Sequence, residues 1–571
     1  MENCICHCFV YKGGDKSLAS NYRPVSLLSC VSKILERIVY KQIYNHLHIN
    51  KLLYKFQSGF LPGYSTTHQL IELYDNIVLA LDKKQITSIT FADISKAFDT
   101  VWIKALILKL ENYGIKGKLL FWLKSYLSRR KQRVVIKDAI SSTGELKAGV
   151  PQGSVLGPLL FLIFINDVAD NMTGFGRLFA DDTCIGHMAH NEENLHTLIS
   201  TDLEYLNAWS YRWLVKFNPN KTDIMIFSTR HLENNVLFDF NNISLSPVHM
   251  HKHLGVIFSN DCKWTKHIDV LIERTSKQLN ILRKLKYRLK RDYLEKIYLV
   301  FIRPILEYAS EVWDNCGQAN CNHLEKIQIE AARIVTGLSI YASFDSIYKE
   351  TGWETLSTRR KVKKLLLFYK IVNKEAPDYL YELVPPLVAA NVNYNLRNSH
   401  NIHVPFNRLS VYQNSYFPCT IQAWNSLDLT IRNLPTFSSF KLKLQQIFYT
   451  RRRNPQYYSI GDRFLSVLHS RMRNKCSALN ADLYHANLIV NYNCLCGYFN
   501  ENAEHYLLHC NRFTLSRIIM LFEINKLNLI GIPVNIDLLL FGNETLNCDI
   551  NCSIFLAVQK YIKNTCRFST S

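Results

Sequence analysis

Phe179-Ala180-Asp181-Asp182 constrains this chain more than any other stretch. Two adjacent carboxylates follow a short apolar run, and Thr183-Cys184-Ile185 can form the return strand. Gly176–Ile185 therefore reads as two short strands around a tight turn that holds the acids at its tip. Upstream, Ile86–Ala92 alternates as a strand rich in β-branched residues and ends in Asp93, where the chain turns into a helix. Asp93 can share metal ions with Asp181 if the two strand ends meet. Mg²⁺ prefers oxygen ligands, so carboxylates suit it. Two such ions about 3.5–4 Å apart favour phosphoryl transfer, which needs positioning and cations around diffuse charge. Each acid alone has a plainer reading: an Asp-Asp pair is common in surface turns, and an Asp after a strand often caps a helix. Asp99 can likewise be structural.

The surrounding periodicity predicts helices over Thr66–Asp82, Lys96–Asn112 with Phe121–Leu127, Leu156–Val168 and Leu195–Val215, and a short strand at Arg133–Ile136. Asn21–Asn50 reads as a turn followed by an amphipathic helix, with Ile34, Leu35, Ile38, Val39 and Ile43 as its apolar stripe. Helices and strands alternate, but no Gly-rich dinucleotide signature is present. The 571 residues suffice for several units, and 48% hydrophobic with 20% charged residues is a globular composition. The net charge of +21 points to polyanionic partners, nucleic acid before an anionic membrane. The most apolar run, Val155–Ile165, holds a Gly-Pro break and is too short to span a bilayer, so no membrane partner is expected. No signal peptide is visible and the 16 cysteines form no compact framework, which predicts an intracellular protein with reduced thiols. Cys4, Cys6, His7 and Cys8 crowd too closely to hold one tetrahedral ion easily.

The third element is Ala148-Gly149-Val150-Pro151-Gln152-Gly153-Ser154-Val155-Leu156-Gly157-Pro158, a Gly/Pro-shaped turn before a buried helix. Gly153 has no side chain, so the backbone there can approach a base pair closely. Taken in order, Phe91-Ala92-Asp93, Pro151-Gln152-Gly153 and Phe179-Ala180-Asp181-Asp182 are similar to the palm of reverse transcriptases. Asn21-Tyr22-Arg23-Pro24-Val25-Ser26-Leu27-Leu28 and Phe56-Gln57-Ser58-Gly59-Phe60 resemble fingers motifs of elements lacking long terminal repeats. Phe217-Asn218-Pro219-Asn220-Lys221-Thr222 looks like the lysine-bearing motif, and His253-Leu254-Gly255-Val256 looks like the primer grip. Trp264 and His267 follow as in jockey-like elements.

The resemblance implies an α+β right-hand polymerase with fingers, palm and helical thumb, then a mostly helical C-terminal region with a small zinc knuckle. Expected boundaries are residues 1–260 for fingers and palm, 261–340 for the thumb, 341–480 of unknown role and 481–571 for the tail. The implied activity is RNA-directed DNA polymerisation with an RNA template, a DNA primer and deoxynucleoside triphosphates. Asp93, Asp181 and Asp182 would be the catalytic acids, with Asp93, Asp181 and the Ile94 carbonyl holding Mg²⁺ or Mn²⁺. Phe98 would exclude a ribose 2′-hydroxyl, Gln152 and Gly153 would line the nascent pair, and Arg23 and Lys221 would face the triphosphate. A core aromatic and a solvated lysine are the plain readings of Phe98 and Lys221. The basic helix at Ser276–Leu289, with Arg283, Lys284 and Arg288, would grip the template–primer; its plain reading is a solvated helix face. A further basic run, Arg359-Arg360-Lys361 with Lys363 and Lys364, opens another helical stretch.

Two departures stand out. Leu61 occupies a position where the family usually carries a triphosphate-binding Arg. Few residues precede the fingers motif, which leaves no room for the usual endonuclease and suggests a truncated element. Both keep an alternative open: a catalytically decayed relic that only binds nucleic acid. A group II intron maturase shares the palm, but the Trp264/His267 pattern and the tail argue against it. In that tail, Cys494, Cys496, His505 and Cys510 have the spacing Cys-x-Cys-x8-His-x4-Cys and suit tetrahedral Zn²⁺, with His509 as an alternative ligand.

Overall fold

A four-stranded antiparallel sheet organises the first half of the chain. The computed structural model describes residues 3–11, 15, 17–18, 21–136, 139–232, 236–391, 399–449 and 455–568. In chain order its first elements are β1 (Asn3–Tyr11), β2 (Tyr22–Leu27), α1 (Cys30–Ile49), α2 (Thr66–Asp82), β3 (Ile86–Asp93), α3 (Ala97–Thr100), α4 (Ile103–Asn112) and α5 (Gly117–Leu127). Next come β4 (Arg130–Ile136), β5 (Ala139–Ile140), β6 (Gly144–Leu146), α6 (Leu156–Ile165), β7 (Phe175–Phe179), β8 (Asp182–Ala189), α7 (Glu192–Trp213) and β9 (Asp223–Phe227). The main sheet has the order β7-β8-β3-β9.

Ile86-Thr87-Ser88-Ile89-Thr90-Phe91-Ala92 is buried along its whole length, so β3 is covered on both faces, and only Asp93 at its end is partly exposed. Helix α6 is apolar all round, and Leu159, Leu160, Phe161 and Ile163 are each at most 1% exposed. A helix without a polar face belongs inside a core. Truncating one such leucine to alanine would cost about 2–5 kcal/mol. Glu36 of α1 is fully buried, and its carboxylate accepts the Val155 and Leu156 amides at 2.7 and 3.2 Å. It thereby satisfies two of the orphan donors at the start of α6.

The second sheet has the order β2-β1-β4-β5, with β6 also on β4. Asn21–Leu28 was expected as a turn but contains the strand β2. Pro24 cannot donate to a ladder, and β2 lies at the sheet edge, where proline is tolerated. The side chains of Cys4, Cys6, His7 and Cys8 lie outside the described residues. The expected stripe on α1 is also corrected: Ile34, Leu35 and Ile38 are exposed, whereas Glu36, Val39, Ile43 and Leu47 face the core.

The chain divides into two compact units. The first comprises residues 1–264, 311–315 and 367–427; the second comprises 265–310, 316–366 and 428–571. Among the described residues every strand falls in the first unit, and the second is helical. In the second unit the basic helix α8 spans Thr265–Leu285 and stops before Arg288, which sits in the following turn. Arg291 is buried against Glu350 instead of facing solvent. Arg359 pairs with Glu307, and Arg360 and Lys364 are buried, so that second basic run is largely consumed by packing. Among the described residues no helix is long and apolar enough to cross a membrane.

Candidate active site

Strand register brings the acids together. Asp93, the last residue of β3, lies opposite Asp182, the first of β8, and Asp182 also lies opposite Phe179 of β7. Directly paired residues of antiparallel strands project on the same face with Cα atoms about 4.5–5.5 Å apart. Ala180 and Asp181 make the turn between β7 and β8, and Ala180 adopts φ +55°, a left-handed conformation unusual for a non-glycine residue. Asp93, Asp181 and Asp182 are all half-buried. The sequence motif thus reads as a strained hairpin tip whose carboxylates share one end of the sheet.

Lys221 closes the other side. The segment 216–218 runs beside the residues after β3: Ser95 donates to the Lys216 carbonyl at 2.8 Å and Asn218 donates to the Asp93 carbonyl at 2.9 Å. Ile94 is buried and bridges Phe217. A short 3₁₀ turn, Pro219–Lys221, then places Lys221 Nζ 3.1 Å from Asp93 Oδ2. Their side chains are 64% and 30% exposed, so this pair is worth about 0–1 kcal/mol and can be displaced. A cation thus already sits against Asp93, and the donor set around it, carboxylate oxygens, fits a hard divalent ion.

The turn is braced by residues to which the sequence assigned no role. Gln57 is 2% exposed, and its Oε1 accepts the Gly59 amide at 2.8 Å and the Ala180 amide at 3.0 Å. The backbone of the same segment pairs with β7: Ser58 donates to the Leu178 carbonyl at 2.8 Å, and Leu178 donates to the Phe56 carbonyl at 3.1 Å. A Cβ on Gly59 would collide with the Ala180 backbone nitrogen, so only glycine fits. Beside them Arg177 pairs with Glu72, and its guanidinium lies 3.7 Å from the centre of the Phe56 ring. The signal available in the sequence was an amide two residues before a glycine inside a recognisable motif.

Phe98 stacks on Phe161 at 4.8 Å and meets Phe60 edge-on at 5.9 Å, leaving the ring half-buried. The Phe98 carbonyl accepts the Val150 amide at 2.8 Å, and Gly149 (φ +87°) packs so tightly that a Cβ would come 2.8 Å from the Asp99 carbonyl oxygen. Gln152 Nε2 donates to Asp99 Oδ1 at 2.8 Å, and the Gln152 carbonyl accepts from Ser26 of β2 at 2.9 Å. These bonds tie the Pro151-Gln152-Gly153 loop to α3 on one side and to β2 on the other. Arg23 lies in β2, but its side chain falls outside the described residues. Leu61 is half-buried.

In the second unit Arg283 is engaged by Glu330 and Asn280, whereas Lys284 and Arg288 are exposed. Further along, Cys494, Cys496, His505 and Cys510 converge, with their ligand atoms all within 4.8 Å of one another. Cys494 Sγ stands 3.8 Å from Cys510 Sγ, and Cys496 Sγ stands 3.3 Å from His505 Nε2. Burial pushes the Cys494 thiol up to about 12, whereas the Tyr498 backbone amide lowers that of Cys496. Three sulfurs and an imidazole converging so closely form a donor set suited to a soft or borderline metal. His509, the alternative ligand, is not part of the group.

Residues 11–271 match the family of reverse transcriptases (RNA-dependent DNA polymerases). The probable RNA-directed DNA polymerase from transposon BS of Drosophila melanogaster is 28% identical over 362 residues, covering 60% of this chain and 39% of that protein. The RNA-directed DNA polymerase from mobile element jockey of Drosophila funebris is 30% identical over 349 residues, covering 58% and 37%. Apo telomerase from Candida tropicalis aligns over 66% of this chain and 63% of its own, at 12% identity and a TM-score of 0.36. Residues 11–271 are thus similar to reverse transcriptase domains, among them those of the jockey, BS and X-element transposons. The chain spans less than two fifths of the length of these transposon relatives.

Proposed function

We propose that the chain is an RNA-directed DNA polymerase that joins a deoxynucleotide to a primer 3′-hydroxyl on an RNA template. The observation that carries this reading is the convergence of Asp93, Asp181 and Asp182 at one end of the main sheet, with Lys221 on Asp93. Asp93 and Asp181, with the Ile94 carbonyl, would hold two Mg²⁺ or Mn²⁺ ions. Bound there, such ions supply the Lewis acidity that favours attack on the α-phosphate and offsets charge on the departing pyrophosphate. Lys221 would leave Asp93 for the triphosphate and donate a proton to the pyrophosphate. Phe98, held by Phe161, would press against the sugar and reject a 2′-hydroxyl. Gln152 and Gly153 would line the nascent pair, and Arg23 would meet the triphosphate.

In this reading the sheet of the first unit is the palm, and α8 belongs to the thumb. Lys284 and Arg288 would carry most of the template–primer grip, since Arg283 is already engaged by Glu330. The Cys494–Cys510 group would hold Zn²⁺ and fix the fold of the tail. The relic reading gains no support from an acid triad that remains assembled. The proposed sugar selection is tested by extending a DNA primer on RNA with deoxy- or ribonucleotides. The unaltered chain should use only the former, and Phe98→Val should gain ribonucleotide incorporation by at least about tenfold. Equal use of both sugars by the unaltered chain would overturn it.

A further inference from the structure

Well beyond residue 271, where the family match ends, the chain returns to the first unit. In its short helix Asp378–Tyr381, Tyr379 is 4% exposed, and its hydroxyl lies 3.0 Å from Ser58 Oγ, on a residue 2% exposed. The Tyr379 ring also packs against Phe56 at 5.8 Å and Tyr64 at 6.3 Å. Ser58 lies between Gln57, which holds the Ala180 amide, and Gly59, which packs against the Ala180 backbone. Tyr379 thus meets Ser58, whose chain neighbour Gln57 holds the amide of Ala180, the residue before Asp181.

The segment that carries Tyr379 is anchored at points that follow it in the chain. Glu382 pairs with Lys55 at 2.7 Å. Arg408 donates to the Leu81 carbonyl at 3.0 Å, and the Leu409 amide donates to Asp82 Oδ1 at 2.7 Å, at the end of α2. Asn425 bonds both the amide and the carbonyl of Ile402, and Trp424 packs edge-on against Phe368. The ring of Tyr379 could be replaced by phenylalanine with little change in packing. The hydroxyl is what answers Ser58, and without it Ser58 Oγ loses its partner in a buried place.

We propose that Tyr379 is a positioning residue for the acidic turn, acting through Ser58 and Gln57, and that residues 367–427 are an integral part of the nucleotidyl-transfer unit. The proposal deepens the polymerase reading above and rests on it for its kinetic consequences.

The test uses the full chain with Tyr379→Phe, Ser58→Ala and the double variant. Single-nucleotide incorporation should show kcat reduced by about fivefold in each single variant, the effect of one hydrogen bond. The Mg²⁺ concentration for half-maximal rate should rise, and KM for the nucleotide should stay unchanged. The double variant should be no slower than either single one. Hydrogen exchange across residues 178–184 should quicken in all three by more than exchange over residues 192–213 does, and kcat should fall by more than any loss of melting temperature accounts for. Unchanged exchange at the turn would overturn the proposal, as would slowing that merely tracks a loss of melting temperature. If the unaltered chain incorporates nothing, the polymerase reading fails, and the exchange comparison still decides the role of Tyr379.

Discussion

Gln57 Oε1 stands 3.0 Å from the backbone nitrogen of Ala180 and fixes the residue that enters the acidic turn. The same oxygen holds the Gly59 amide, so one side chain joins the fingers-like motif to the hairpin tip. Gln57→Ala leaves two buried amides without that acceptor, at a cost of about 1–3 kcal/mol in stability. Primer extension should fall further than stability does, because the Ala180 conformation is what aims Asp181. Thermal melting beside steady-state kinetics checks this, and equal activity at reduced melting temperature would contradict it. Gly59→Ala should be more damaging, since its Cβ meets backbone that cannot rotate away.

Lys221 occupies Asp93 at 3.1 Å. Lys221→Met should therefore lower the Mg²⁺ concentration needed for half-maximal rate, by removing a competing cation. It should also lower the maximal rate, by removing the proposed proton donor. A Mg²⁺ titration of single-turnover incorporation separates the two effects, which move in opposite directions.

Leu61 stands where the motif resemblance implies an arginine, and it is half-buried rather than locked in the core. Leu61→Arg should lower KM for the nucleotide by roughly 10–100-fold, the worth of a charge-assisted bond of about 1.5–3 kcal/mol, with little change in kcat. Nucleotide titrations of the two proteins give the answer directly.

Three buried histidines set an acid limit on stability. Burial, then Lys370, lowers His68 to about 4; burial, then His251, lowers His253 to about 3; and burial, then Arg473, lowers His469 to about 3. An unfolded histidine titrates near 6.5, so below that pH the unfolded chain binds protons that the folded chain refuses. Their stabilising effect is present in full above about pH 6.5 and declines as pH falls toward 3–4. Each group should cost up to about 1.4 kcal/mol per pH unit in that window. Melting temperature followed from pH 7 to pH 4 should fall steadily, and His253→Gln should flatten part of that fall.

Much of the site was legible because its chemistry sits in short contiguous motifs. Asp93 could be placed at a strand end from the β-branched run before it and the Asp181-Asp182 pair at a turn after a short apolar run, and strand register supplied their meeting. The spacing of Cys494, Cys496, His505 and Cys510 likewise anticipated a cluster that the fold assembles. What could not be read depends on distant partners. Tyr22–Leu27 becomes a strand only because β1 pairs with it, and Ile34 and Ile38 look like core until α1 is seen to bury Glu36 and Val39 instead. Gln57 and Glu36 each accept backbone amides far along the chain, Tyr379 meets a distant hydroxyl, and periodicity carries no trace of such bonds. Arg291, just past the basic helix, is buried for the same reason, because its partner Glu350 is remote in sequence.

The most direct measurement is incorporation of a single deoxynucleotide on an RNA template with a DNA primer and Mg²⁺, by the full chain beside Asp93→Asn and Asp181→Asn. Template-directed incorporation by the unaltered chain, abolished in both variants while their melting temperatures hold, is the predicted result. Incorporation that survives either substitution, or none by an unaltered chain that binds the template–primer, would contradict the assignment of these acids to catalysis.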